Sequence, residues 1–262
     1  YQEGISQCIV DAKTNIEAID KSIEDLYSTG YMHNHLRMYV ASISTNIAKS
    51  HWKQPAKWMY YHLLDGDWAS NVLSWQWVSG ANSNKKYIAN QDNINKYTYS
   101  NQKNTFLDCS YDELMNLEQP SNFKLMSKEI LKTEFPDFEK FSIDNSKPIC
   151  IYNYYNLDPL WRTDINATRI LLIEPSIFNK YPIGKKAMNF MLALSKNIPS
   201  IKVFVGEFDE LEIGDQEVYF KEHPLNYNYK GIIDSRDWMS SVKGYYPSFF
   251  KFWNKLKKEK SF

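Results

Sequence analysis

The sequence lacks features that would assign it to several common classes of protein. Its three cysteines, Cys8, Cys109 and Cys150, are odd in number and unrelated in spacing. This excludes a disulfide framework and a CxxC metal knuckle, and it favours a reducing compartment. Because 31 basic residues balance 31 acidic ones, net charge does not attract nucleic acid or anionic lipid. No apolar run approaches the roughly 20 residues of a membrane-spanning helix, and no signal-peptide pattern opens the chain. We therefore expect a soluble, cytoplasmic, monomeric protein without membrane contact.

Signatures of frequent enzyme classes are also missing. There is no GxSxG, Walker A or HExxH motif, which leaves hydrolase and kinase functions without support. Two short patterns, His33-x-His35 and Asp65-x-Asp67, contain metal-ligand residue types. On a helix, positions i and i+2 lie about 200° apart and do not converge, so we expect no metal site. A metal-dependent transferase that uses the Asp pair stays open as a weaker hypothesis.

Aromatic residues are unusually abundant in the 262 residues of the chain. They make up 16% of the sequence, with 8 Trp and 19 Tyr. An AT-rich genome explains the tyrosines but not the tryptophans, whose codon is not AT-rich. The chain also begins with Tyr1 and not with Met, so we expect a fragment or a processed form.

The first half of the chain has helical periodicity. Apolar residues from Ile9 to Leu26 recur at spacings of three and four, and Gly30 follows where a left-handed C-cap belongs. Three further helices are predicted. The first covers about residues 33–49, the second has Pro55 in its first turn, and the third runs from Asp67 to near Gly80. Residues 81–104 are rich in Asn, Lys, Tyr and Gln and predict a long polar loop.

The second half predicts strands and helices in alternation. Short β-rich runs occupy residues 148–155, 169–174, 201–208 and 218–220, with a helix over 184–197 and a helical aromatic tail. Strand, helix and strand with short connections indicate a right-handed crossover and a parallel sheet. The fold class we expect is therefore mixed, with an all-α region over residues 1–120 and a smaller α/β region over 121–262.

The residues between His33 and Gly80 carry the chemistry. They include Arg37, the pair Asp65 and Asp67, two amides and three tryptophans. An Arg with two nearby carboxylates and amides can form a polar site for a planar, hydrogen-bonding ligand. The alternative without a binding function is that Arg37 and Asp65 form a purely structural ion pair.

Several motifs in fixed order identify a family resemblance. HNHLRM, Trp52, DGDxxxN and WQW follow each other between His33 and Trp77. They resemble the flavin-binding helical domain of the photolyase and cryptochrome family, and YQEG at the start of the chain and IVDA from Ile9 resemble motifs upstream in that domain. The resemblance covers roughly residues 1–80. It implies a photolyase-type FAD-binding domain fragment, with the family's phosphate cradle and its N-[ED]-L-x-W-R motif preceding Tyr1.

The resemblance implies a set of cofactor-binding residues. Arg37 and Asp65 would form a salt bridge beside the isoalloxazine ring of FAD. Asp67 would accept a hydrogen bond from a ring N–H, and Asn71 would lie near flavin N5. Asn34 would bridge the flavin and a DNA lesion. An Asn at position 71 resembles photolyases, because plant and animal cryptochromes generally have Asp or Cys there.

Substrate contacts and an electron-transfer chain are implied in the same way. Met38 and Trp77 would line the pocket for a flipped-out pyrimidine dimer, and His35 stands where the family has an Arg that contacts phosphate or lesion. Trp75 would be the redox residue next to the flavin and Trp52 the middle one. The distal position falls on Tyr1, which departs from the family's Trp.

Two functions follow from the resemblance. The first is a blue-light-dependent DNA photolyase, in which excited reduced FAD donates an electron to a cyclobutane pyrimidine dimer in damaged DNA. The alternative is a cryptochrome-type light sensor that does not repair DNA. A second, antenna chromophore and the role of the α/β region are left open by the sequence.

Overall fold

The computed structural model describes residues 1–83, 85–128 and 130–259. Its contacts divide the chain into two compact units, one of Tyr1–Asp137 with Glu174–Lys196 and the other of Phe138–Ile173 with Asn197–Phe262. Within the described residues, no helix is long and apolar enough to cross a membrane.

The first unit is mainly helical. Its helices are α1 (Gln7–Val10), α2 (Glu17–Thr29), α3 (Asn34–Ser42), α4 (Lys53–His62), α5 (Trp68–Ser79), α6 (Gln91–Thr98), α7 (Tyr111–Met115), α8 (Pro175–Lys180) and α9 (Lys185–Ser195). A π-helical turn, Ile43–Ile47, continues α3, as predicted for one segment over 33–49. Gly30 and Gly80 end α2 and α5 in the left-handed conformation at φ +75°, which confirms the predicted ends.

The expectation of an all-α first region is not confirmed. A short strand β1 (Ile5–Ser6) pairs in antiparallel fashion with β2 (Met126–Ser127). The carbonyl of Leu125 also accepts a hydrogen bond from the Gln7 amide at 2.8 Å. Each strand has only two residues, too few for an alternation of apolar and polar side chains to be visible in the sequence.

The apolar stripe from Ile9 to Leu26 is split between two helices. Between α1 and α2 the backbone leaves the helical conformation, with positive φ at Ala12 and Asn15. The Asp20 carboxylate accepts hydrogen bonds from the Thr14 amide at 2.8 Å, the Thr14 hydroxyl at 2.7 Å and the Asn15 amide at 3.2 Å. These bonds stabilise the break between the two helices. Ile9 and Ile19, which belong to the apolar stripe, are nevertheless both buried.

The predicted polar loop over 81–104 contains a helix. Asn90 caps α6 by accepting a hydrogen bond from the Asn93 amide at 3.0 Å, and Ile94 is fully buried. One buried apolar side chain in a polar segment gives no periodicity, which is why the sequence predicts a loop there.

The second unit contains a parallel sheet of five strands. They are β3 (Ile149–Tyr152), β4 (Thr168–Ile173), β5 (Lys202–Val205), β6 (Val218–Lys221) and β7 (Ile232–Asp234), in the order β5-β4-β3-β6-β7. All four neighbouring pairs are parallel, which confirms the predicted parallel sheet and adds β7. The last helix, α10 (Phe249–Glu259), lies where the aromatic tail predicted one.

An ion pair connects the loop after β3 with the end of β7. Arg162 bonds both carboxylate oxygens of Asp234 at 2.6 and 2.8 Å, and its guanidinium lies 3.6 Å from the centre of the Tyr219 ring. Trp161 Nε1 donates a third hydrogen bond to Asp234 at 2.8 Å. Because both charges are partly shielded from water, this pair contributes more than an ordinary surface ion pair.

The two units differ from the predicted regions 1–120 and 121–262. Residues 121–137 and 174–196 belong to the first unit. The reason lies in helix α9, whose preceding Gly184 amide bonds the Tyr61 carbonyl at 2.8 Å. Lys186 Nζ further bonds the Ser28 carbonyl at 2.8 Å. The sequence shows α9 as a crossover between two strands, but not which residues its side chains contact.

Candidate functional site

Helices α3, α4 and α5 enclose a cleft in the first unit. The cleft has a cavity volume of about 100 Å³ and is partly open to solvent, so it is smaller than the about 300–1,000 Å³ of typical small-molecule sites. It is lined by Asn34, Arg37, Met38, Ala41, Met59, Leu63, Asp65, Gly66, Asp67, Ser70, Asn71, Ser74, Trp75 and Val78. One cation, two carboxylates and amides share this lining with apolar side chains, as a planar polar ligand requires.

Arg37 on α3 and Asp65 in the turn before α5 form an ion pair at the cleft. Nη2 of Arg37 lies 2.9 Å from both carboxylate oxygens of Asp65, and Nε donates to the Met32 carbonyl at 2.7 Å. The Arg37 side chain is 24% exposed and that of Asp65 is 55% exposed. Such a half-exposed pair adds little to stability, so its main effect is to fix the guanidinium in one orientation.

Asp67 combines a structural bond with a free acceptor atom. It is the N-cap of α5, and its Oδ1 accepts a hydrogen bond from the Ser70 amide at 2.7 Å. N-caps of this kind satisfy an amide at the helix start that has no partner within the helix. The second oxygen, Oδ2, has no hydrogen bond within the described residues and can accept one from a ligand.

Asn71 follows Asp67 one helical turn later. Its Nδ2 donates to the Ala56 carbonyl on α4 at 2.8 Å. With the amide nitrogen held by α4, the carbonyl oxygen Oδ1 is the acceptor that Asn71 offers to the cleft. Asp67 and Asn71 therefore each provide an acceptor, which suits a ligand that carries N–H groups.

Apolar side chains from all three helices form the remaining walls. Met38 and Ala41 come from α3, Met59 from α4 and Trp75 from α5. Trp75 is only 1% exposed, and Met59 is fully buried. Walls of this kind keep water away from the faces of a planar ring and strengthen the hydrogen bonds at its edge.

Burial also shifts the titration of one residue on α4. His62 packs against the rings of Tyr27 and Tyr61 at centroid distances of 4.7 and 5.1 Å. Desolvation lowers the pKa of His62 from 6.5 to about 4, because the charged form loses its hydration. The same helix provides Met59 to the cleft and the Ala56 carbonyl that accepts the hydrogen bond from Asn71.

The structure brings most of the predicted site residues together. Those that line the cleft are Asn34, Arg37, Met38, Asp65, Asp67, Asn71 and Trp75. They come from α3, from the turn before α5 and from one face of α5, where Ser70, Ser74 and Val78 also lie. Their assigned contacts with a flavin or a lesion stay predictions.

Four predicted residues do not line the cleft. Trp77 is 46% exposed and stacks on the Tyr87 ring at 5.4 Å. His35 stacks on Tyr97 at 4.7 Å, and Trp52 packs at the edge of the core of the first unit. Tyr1 is 71% exposed.

The two short His and Asp patterns are not arranged as a helix would arrange them. Asp65 and Asp67 precede α5, where they bond Arg37 and Ser70 respectively. His33 is the N-cap of α3, and its ring stacks on that of His35 at 5.4 Å. The helical argument against convergence therefore does not apply to either pair. Within the part of the chain that the structure describes, no group of three or more His, Cys, Asp or Glu residues could hold a metal ion.

The sequence interpretation missed several lining residues. They are Met59, Leu63, Ser70 and Ser74. Ser70 and Ser74 are four residues apart on α5 beside Asn71, and this spacing is the signal that could have assigned them to the cleft. Met59 lies on α4 and Leu63 directly after its end, and no pattern in the sequence connects them with Asn71.

Comparison with known proteins identifies the class of this site. Residues 6–125 match the model of the "FAD binding domain of DNA photolyase". The chain therefore carries part of an FAD-binding domain, and FAD is the cofactor of that domain. Residues 6–125 are thus similar to the FAD-binding domain of the photolyase/cryptochrome family.

Individual relatives match a shorter stretch. A deoxyribodipyrimidine photo-lyase of Vibrio cholerae is 39% identical over 69 residues, 26% of this chain and 15% of that protein. The Escherichia coli enzyme of the same name is 36% identical over 69 residues, again 26% and 15% of the two chains. Cryptochrome-2 of Arabidopsis thaliana is 33% identical over 69 residues, 26% of this chain and 11% of that protein. The match thus spans about a seventh of these photo-lyases. No solved structure gives a significant match.

The polar groups and apolar walls of the cleft match the chemistry of the ring portion of FAD. A flavin ring is planar, with apolar faces and with N–H and carbonyl groups at its edge. Asp67 and Asn71 provide acceptors for the N–H groups, Arg37 provides a donor, and the walls are apolar. Among the lining residues Arg37 is the one cation, and it is paired with Asp65. The lining therefore suits the ring and offers little charge for a pyrophosphate.

Proposed function

We propose that this chain is part of a flavoprotein that repairs pyrimidine dimers in DNA under blue light. The single observation that carries the proposal is the cleft of α3, α4 and α5, where Asp67 and Asn71 present acceptors beside apolar walls. The family match over residues 6–125 supports the choice of FAD for this cleft. When bound and reduced, FAD that is excited by blue light would donate an electron to the lesion.

The residues of the chain would hold and tune this group. Oδ2 of Asp67 would accept a hydrogen bond from a ring N–H, and Oδ1 of Asn71 would accept one near N5. The Arg37–Asp65 pair would fix a donor at the ring edge. Met59 and the other apolar walls would exclude water, which protects a reactive electron donor from side reactions.

The remaining predicted roles are part of the same proposal. Asn34, His35, Met38 and Trp77 would contact the flipped-out dimer. Trp75 is buried against the cleft and would pass electrons to the flavin, with Trp52 and Tyr1 further along the path. The monomeric state and the cytoplasmic location stay predictions.

A light sensor without repair activity is the second candidate. It is favoured by the position of Trp77, which stacks on Tyr87 and does not line the cleft. A lesion pocket needs an aromatic surface that faces the flavin. Cryptochrome-2 is also among the relatives over the same stretch.

Flavin binding is the first test. The purified full chain is titrated with FAD and followed by quenching of flavin fluorescence, in wild type, Asp67→Asn and Asp92→Asn. Asp92 is exposed on α6 away from the cleft lining and is the matched control. Because a hydrogen bond to a charged group contributes about 1.5–3 kcal/mol, Asp67→Asn should weaken binding by about tenfold or more. Absence of FAD binding in the wild type would contradict the proposal.

Repair and sensing are then separated with DNA. The flavin-loaded protein is illuminated with blue light in the presence of an oligonucleotide that contains a thymine dimer, and recovery of absorbance at the thymine band is measured. Repair supports the photolyase function. Reversible flavin photoreduction without repair would assign the chain to the sensor class.

A further inference from the structure

Helix α10 (Phe249–Glu259) has a strongly two-sided surface. Phe252, Trp253 and Leu256 lie along one side at helical spacing. Leu256 is 5% exposed, and Phe252 stacks edge-on against Tyr246 at 5.5 Å. The apolar side is therefore covered toward the end of the helix, whereas Phe249 at its start stacks on Trp253 and stays exposed.

The opposite side of α10 presents a row of lysines. Lys251, Lys255 and Lys258 have spacings of four and three residues and are all exposed. At 1.5 Å of rise per residue, the second and third lie about 6 and 10.5 Å along the axis from the first. A fourth lysine, Lys257, lies beside Trp253 at 6.0 Å. We call Lys251, Lys255 and Lys258 the lysine row.

The positive charge of this row is only partly offset on its own helix. The one acidic residue of α10 is Glu259, whose carboxylate accepts hydrogen bonds from the Ser241 amide at 2.9 Å and from the hydroxyls of Ser240 and Ser241. The whole chain carries no net charge. The lysine row is therefore a local excess of positive charge, the feature that a polyanion would recognise.

Exposed aromatic rings stand at the start of the same helix. Phe249 is 65% exposed and Phe250 is 72% exposed, and Tyr245 just before the helix is 90% exposed. Rings of this kind stack on the bases of single strands, but a base-paired duplex offers no free base face, so the lysines carry the contacts with its phosphates.

We propose that the lysine row of α10 binds the phosphate backbone of DNA, whether or not the DNA is damaged. A helix that lies in a lipid surface buries its apolar side in the acyl region, but on this side of α10 Leu256 is buried and Phe252 and Trp253 are partly buried in the protein. The cationic face, by contrast, is exposed along its whole length. The proposal adds a DNA contact that needs neither the cleft nor the flavin.

The test measures how DNA binding depends on salt. Binding of the full chain to a short, undamaged, fluorescently labelled duplex is followed by anisotropy in the dark, between 50 and 200 mM salt. The variant is K251Q/K255Q/K258Q. The matched control is K13Q/K124Q/K202Q, which removes the same charge from three other exposed positions. Thermal unfolding followed by circular dichroism verifies that both variants fold like the wild type.

Loss of three phosphate contacts has a defined size. Each contact adds about 0.9 to the magnitude of the slope of log K against log salt concentration, so the triple variant should lower that magnitude by about 3. At the low end of the salt range its affinity should fall by about tenfold or more. The slope of the control variant should differ from that of the wild type by less than about 0.9, the effect of one phosphate contact.

The outcomes separate this proposal from the others. The proposal is overturned if the wild type and the triple variant have the same salt slope. It is also overturned if the control variant lowers the slope as much as the triple variant does. Co-sedimentation of the wild type with phosphatidylserine vesicles but no DNA binding would assign the face to lipid and also overturn it. Failure of flavin binding or of repair, together with the expected drop in slope, would refute the proposed function and leave this inference standing.

Discussion

Replacement of His62 by Phe should remove an acid-dependent loss of stability. His62 on α4 is surrounded by Tyr27, Trp58 and Tyr61, and burial lowers its pKa from 6.5 to about 4. The folded protein therefore disfavours the protonated ring. The stabilisation that results is fully present above pH 6.5 and is lost as the pH falls toward 4.

The magnitude follows from the two pKa values. At pH 5 the ring is mostly protonated in the unfolded chain and mostly neutral in the folded one. Linkage then gives a loss of about 2 kcal/mol in the free energy of unfolding between pH 8 and pH 5. Phe has a planar ring of similar size that does not titrate, so the variant should not show this part of the loss.

Urea denaturation at a series of pH values, followed by circular dichroism, measures this difference. At pH 8 the difference between wild type and His62→Phe reports the change in packing alone. Between pH 8 and pH 5 the wild type should lose about 2 kcal/mol more than the variant. A wild type and a variant whose curves stay parallel over this range would refute the reasoning.

Three further changes have defined outcomes. Gly30→Ala places a Cβ at φ +75° and 2.5 Å from Leu64 Cγ, so the free energy of unfolding in urea should fall by about 1–2 kcal/mol or more, and an unchanged midpoint would contradict the C-cap assignment. Asn46→Ala removes a side chain that donates to two backbone carbonyls at 2.8 and 3.1 Å. Urea denaturation should show that the free energy of unfolding falls by about 2–4 kcal/mol. A fall of less than about 0.5 kcal/mol would mean that water replaces both hydrogen bonds. Trp75→Phe should slow flavin photoreduction under blue light with a thiol reductant, measured by loss of absorbance near 450 nm, while equal rates would remove Trp75 from the proposed path.

Much of the helical fold could be predicted because its signals are local. The segment over 33–49 and the ends at Gly30 and Gly80 combine a periodic apolar stripe with a C-cap residue, and both are properties of neighbouring residues. The break between α1 and α2 depends instead on Asp20, which reaches back to two backbone amides. Within helix α6, Ile94 is the one buried apolar side chain. Such contacts leave no period in the sequence.

The candidate site was predictable to the extent that its residues share a motif. Asp67 and Asn71 are one helical turn apart, and both line the cleft. Trp77 belongs to an equally specific motif, yet it lies two residues after Trp75 and so points to another side of α5. The low pKa of His62 depends on Tyr27 from a different helix. Contacts between helices decide such properties, and one sequence does not show them.

The path of the chain through its two units has a practical consequence for protein engineering. Neither unit is one continuous stretch, since Glu174–Lys196 returns to the first unit between strands of the second. A deletion after Asp137 would leave the Tyr61 carbonyl without the Gly184 amide and the Thr133 hydroxyl without the Ile183 backbone. Recombination that exchanges the flavin cleft between relatives must therefore carry two separate gene segments, because a single crossover point would divide a folded unit.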